Sequence, residues 1–195
     1  MTFLEALRKA NVNDAAIDQI MGVEYPHDAN PKQDNANFMA AAMRKCEELL
    51  EFDQIAEVMF HRACCKSGFR LSNAKQLAKE HGDKPLPEKL ELLGRLQYMG
   101  KPWLTENGDI QTVGIGQMDA CPCWNFSGCV PVNGPMPLSY CLCCAGHFRF
   151  HYEKALGVKL RVKQVVSSNI NSGAKEPCVF LFQIMGASAK AKRRA

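Results

Sequence analysis

Six of the ten cysteines and two of the five histidines lie between positions 121 and 151: Cys121, Cys123, Cys129, Cys141, Cys143, Cys144, His147 and His151. Thiolates and imidazoles are the ligands that zinc and iron–sulfur clusters select, and a thiolate is also a strong nucleophile. Cys121, Cys123 and Cys129 fall in a stretch rich in Pro and Gly. Cys141, Cys143, Cys144 and His147 fall in or beside a helical pattern from about Ser139 to Leu156. Cys144, His147 and His151 are spaced by three and four residues, so they share one helix face. A loop pair plus a helix pair is a common way to build a tetrahedral site. The spacing fits zinc better than an iron–sulfur cluster, whose usual cysteine intervals are missing.

A second group reads His61-x2-Cys64-Cys65-Lys66. A cation beside a thiol favours the thiolate, so this group could supply ligands or a nucleophile with its base. Adjacent helical cysteines point to different faces, however, and packing accounts for at least one of them. Cys46 continues an apolar stripe with Phe38, Ala42 and Leu49 and reads as core.

The elements that must position these groups divide near residue 100. Thr2-x-x-Glu5 is a capping-box signature, and Asn13 caps a short helix over 14–21. Residues 23 to 35 read as a loop. Helices follow over 37–50 and 54–66, the second stopped by Gly68. Another runs from Ser72 as cap to about His81, and one begins at Pro87. Glu47, Glu48 and Glu51 read as a solvated helix face. Beyond residue 100, Asn107-Gly108 between apolar flanks predicts a hairpin. Residues 158 to 162 alternate as a strand, and residues 178 to 184 are apolar on both faces, as in a central strand. The expected fold is α+β: a helical N-terminal half (1–100) packed on a small antiparallel sheet crossed by one helix (101–195), the two forming one compact unit.

Composition narrows the function classes. The chain has 195 residues, 47% hydrophobic and 23% charged, with a net charge of +4. Part of the excess sits in a basic tail at Lys190, Lys192, Arg193 and Arg194. No basic stripe interleaved with aromatics appears, so nucleic acid is not an expected partner. No apolar run spans a bilayer, and the start lacks the order of a signal peptide, which points to the cytoplasm and reduced thiols. Walker, dinucleotide-binding and nucleophile-elbow motifs are absent.

Residues 139 to 186 resemble the C-terminal part of the 4-vinyl-reductase-type domain, a small-molecule-binding α+β module of bacterial and archaeal sensors. The matching features are Cys141 ahead of a helix, Leu156-Gly157 at its end, the following strand, Gly173, and Cys178-x-Phe180-x-Phe182. A related ending occurs in proteins described as thiazoline-carboxylate hydrolases. The chain as a whole is similar to a family of bacterial proteins with a Cys-Cys-Lys and a Cys-Cys-x2-His motif, a likeness that implies no activity. Zinc-binding members of the first family use a cysteine at the Cys141 position, a glutamate, a second cysteine, and the cysteine of the final strand. Here the middle two are Gln164 and Ser167, so the resemblance implies Cys141 and Cys178 as ligands and substitutes for the others.

These readings combine into an expectation of a metal-supported, zinc-containing small-molecule-binding domain. Its metal ligands would come from Cys121, Cys123, Cys129, Cys141, Cys143, Cys144 and His147. Its ligand pocket would lie between sheet and helical half, near Trp124, Phe148, His151, Cys178, Phe180 and Phe182. The rivals are a cysteine-dependent hydrolase of a small sulfur- or nitrogen-containing ring and a structural interaction module. Neither the ligand nor the oligomeric state is legible.

Overall fold

A computed structural model describes residues 1–63, 66–114, 131–169, 172 and 175–187 of the chain. The fold is α+β. Helices α1 (Phe3–Lys9), α2 (Asp14–Met21), α3 (Pro31–Leu49), α4 (Phe52–Arg62), α5 (Gly68–Glu80) and α6 (Leu86–Gly94) precede the hairpin β1 (Lys101–Leu104) and β2 (Ile110–Val113). A 3-10 turn, Leu138–Cys141, leads into α7 (Leu142–Leu156), followed by β3 (Val158–Ser167) and β4 (Val179–Ala187). The strands form one antiparallel sheet in the order β1-β2-β4-β3.

The local signals act as their chemistry requires. Thr2 Oγ1 accepts from the Glu5 amide at 3.2 Å, and Glu5 Oε2 accepts from the Thr2 amide at 2.8 Å, a complete capping box. Asn13 Oδ1 accepts from the Ala16 amide at 2.9 Å. Gly108 turns the hairpin with φ of 78°, a conformation that favours glycine.

Several boundaries differ from the pattern, and the helix expected over 54–66 runs from Phe52 to Arg62. Helix α3 begins at Pro31, six residues earlier than the apolar periodicity, because Asn30 caps it and Pro31 sits in its first turn. Gly68 does not stop a helix. It opens α5 at φ of 66°, with Ser67 as the preceding residue. Ser72 is therefore inside α5, where its hydroxyl donates to the Gly68 carbonyl at 3.3 Å. Leu49, expected on the apolar stripe of α3, is exposed at the helix end.

Helix α7 crosses one face of the sheet. Phe148 and Tyr152 pack on Phe180 and Phe182 of β4, with ring centroids 5.6 and 6.0 Å apart for the Phe148–Phe180 and Tyr152–Phe182 pairs. Tyr152 is fully buried, and its hydroxyl donates to the Met99 carbonyl at 2.6 Å and meets Thr112 Oγ1 at 2.8 Å. Strand β4 is central, as its sequence requires, and Leu181 on it is half-buried. Buried side chains from α1 to β4 form one continuous apolar cluster. Among the described residues no helix is long and apolar enough to cross a membrane.

Strand β3 is an edge strand with a bulge. Val162 pairs with Phe182 and Gln164 with Leu181, leaving Lys163 as the extra residue. Alternation breaks there, and Lys163 and Gln164 are both exposed. The Arg161 guanidinium binds both carboxylate oxygens of Asp53, with Nε to Oδ1 at 2.8 Å, which ties the start of α4 to β3.

Candidate functional site: the thiol and imidazole cluster at the start of α7

Two remote cysteines meet at one hydroxyl. Cys141, at the end of the 3-10 turn, is buried, and its Sγ lies 2.9 Å from Ser168 Oγ. Ser168 also hydrogen-bonds the Cys178 thiol, and the Asn169 amide donates to Cys178 Sγ at 3.4 Å. Burial pushes the Cys178 thiol up, and the hydrogen bonds from Asn169 and Ser168 partly offset that rise. The juxtaposition follows from topology. Antiparallel pairing sets the end of β3 beside the start of β4, where Ser167 pairs with Val179, and the turn before α7 packs against that corner. Ser167 itself takes no part, since its hydroxyl donates to the Pro177 carbonyl at 2.6 Å. Its neighbour Ser168 faces the cysteines.

The next turn of α7 presses on α4. A Cβ on Gly146 would lie 2.8 Å from Phe60 Cα, so only glycine allows this approach. One turn earlier, the Cys143 thiol donates to the Arg62 carbonyl at 3.8 Å. His147 and His151 are both buried, with ring centroids 4.7 Å apart, as two residues four apart on one face must be. Cys144 is half-buried on the same helix. Lys66 caps the end of α4: its Nζ donates to the Phe60 carbonyl at 2.7 Å and the His61 carbonyl at 3.3 Å, and lies 4.7 Å from the Phe60 ring centre. Burial, then the nearby Lys66 charge, holds His61 below its usual range. His61 and Lys66 of the second sequence cluster lie at the end of α4, and Lys66 Nζ is 5.9 Å from the Phe150 ring centre of α7.

Cys64, Cys65, Cys121, Cys123, Trp124 and Cys129 lie outside the described residues. Among the described residues, no three His, Cys, Asp or Glu side chains converge as a metal ion needs. Cys141 and Cys178 would supply only two of the four donors that a structural zinc site takes. A bound divalent cation would favour the thiolate form of Cys178, whose thiol burial otherwise pushes up.

Phe148 and Phe180 pack into the aromatic core with Phe182. An open cleft of about 620 Å³ lies elsewhere between the helical half and the sheet. It is bounded by the α3–α4 junction (Leu50, Phe52), by Ser139 of the 3-10 turn, and by Gln164 and Val165 of β3. Sequence reasoning missed Ser168 and Ser139. Serines beside strand or helix ends are too common to stand out, and only the fold shows what each faces.

No family model, curated protein or solved structure matches the chain at a significant level.

Proposed function

We propose that the protein is a metal-supported small-molecule-binding domain, with zinc as the metal. The observation that carries this reading is the convergence of Cys141 and Cys178 on Ser168. These are the two positions that the 4-vinyl-reductase resemblance implies as ligands. Cys121, Cys123 and Cys129 are the further donors we assign, with Cys143, Cys144 and His147 on α7 as the alternatives. The metal would clamp the corner where the 3-10 turn, β3 and β4 meet, and so fix one side of the cleft. The rival reading, a cysteine nucleophile with its base, would use Cys144 with His147 or His151, or Cys64 or Cys65 with His61.

Elemental analysis after anaerobic purification tests the reading. The intact protein should carry near-stoichiometric zinc, and Cys141→Ser and Cys178→Ser should each lose most of it. Chelation should accelerate iodoacetamide labelling of Cys178. A metal-free protein, or zinc retained in both variants, would refute it.

A further inference from the structure

The cleft beside β3 combines three features. Its walls are largely apolar, from Leu50, Phe52 and Val165. Its helical rim carries Glu47 and Glu51, which are exposed and make no ion pair among the described residues. On the opposite rim, Lys163 is already held by Asp109 at 2.7 Å, which cancels the positive charge there. Glu47 and Glu51 therefore place unpaired negative charge at this rim, which favours a cation. The third feature is Ser139, which is 8% exposed and whose hydroxyl oxygen is buried with no hydrogen-bond partner among the described residues. A buried hydroxyl without a protein partner costs the fold stability unless a water or a ligand reaches it.

We propose that this cleft binds a small molecule with an apolar body, a protonated amine at one end and a hydroxyl or amide at the other. The amine sits at the Glu47 and Glu51 rim. The apolar body covers Leu50, Phe52 and Val165. The second polar group reaches Ser139 Oγ as the half-buried Leu50 and Leu138 give way. Gln164, turned outward by the bulge, offers an amide to the same ligand. The proposal rests on the small-molecule part of the reading above and names its ligand class.

The test uses the full chain, with amide NMR shifts as readout and three probes: 4-(aminomethyl)benzyl alcohol, benzylamine, and 4-(hydroxymethyl)benzoate. The amino alcohol should shift the Ser139, Gln164 and Val165 amides in a saturable way. Benzylamine, lacking the hydroxyl, should bind about fivefold more weakly. The acid should give no saturable shift. Glu51→Gln should weaken both amines about threefold. Ser139→Ala should erase the difference between the amino alcohol and benzylamine. It should also raise the Tm of the unliganded protein, since it removes an unpartnered hydroxyl, so weaker binding cannot be put down to unfolding. Absence of shifts at those amides, equal binding of the acid, a lower Tm for Ser139→Ala, or an unchanged preference in it would overturn the proposal. Zinc content of the same samples separates the two ideas. Cleft shifts without zinc refute the metal alone, and zinc without cleft shifts refutes this site alone.

Discussion

Cys46 and Cys178 sit in two regions that treat a thiol differently. Cys46 lies in the helical half, fully buried on the apolar stripe of α3. Burial, with Glu47 nearby, pushes its thiol up to about 12. Cys178 lies at the corner of the sheet, half-buried, with a serine hydroxyl and a backbone amide on its sulfur. Both thiols are raised by burial. Only the second has polar neighbours that stabilise charge. Cysteine number and burial therefore do not mark a site, whereas the donors around the sulfur do.

The largest expected effect is alkaline. Below about pH 8.5 the Cys46 thiol is neutral in both folded and unfolded chains, so its contribution is complete. Above that the unfolded chain loses the proton first, and stability falls as pH rises toward the folded value of about 12. The slope is at most about 1.4 kcal/mol per pH unit for this group. Urea midpoints at pH 8 and pH 10 should show a loss of about 2 kcal/mol that Cys46→Ala largely removes. An equal loss in both proteins breaks the comparison.

Cys46→Ser comes next. It places a hydroxyl in an apolar stripe and should cost about 1–3 kcal/mol in chemical denaturation at pH 7. Ser168→Ala should cost about 1 kcal/mol. It should also move the Cys178 thiol further up, toward the behaviour of Cys46. The pH dependence of iodoacetamide labelling at Cys178 measures that shift, and an unchanged profile would show that Ser168 does not tune the thiol. Cys178→Ser should be the mildest in the metal-free protein, under about 1 kcal/mol, because Ser168 and the Asn169 amide can hydrogen-bond the new hydroxyl. A cost matching Cys46→Ser would erase the distinction between the regions.

The sequence made the elements legible where a local signal and a period agree. The capping box at Thr2, the Asn13 cap, the Asn107-Gly108 hairpin and the central place of β4 follow from short-range chemistry. Boundaries failed where one residue serves two roles. Pro31 reads as a loop former yet suits a first helical turn, and Gly68 reads as a stop yet opens a helix. The pairing of Cys141 with Cys178 was available only through resemblance, because 37 positions of chain separate them and spacing alone does not join them. The sequence suggests a pocket between sheet and helical half, and the cleft has its walls at the α3–α4 junction and β3. Phe148 and Phe180 were large and apolar enough to line a pocket, and for the same physical reason they fill the core.

Gly146 has a consequence for motion. With Phe60 Cα so close, any side chain at position 146 would force α4 and α7 apart, so glycine is what keeps the two backbones in contact. The last turn of α4 and the first turns of α7 should then open to solvent as one cooperative unit, with the Phe60 and Gly146 amides exchanging hydrogen at matched rates. Whatever binds at the start of α7 would slow exchange at the end of α4, a segment otherwise distant in sequence.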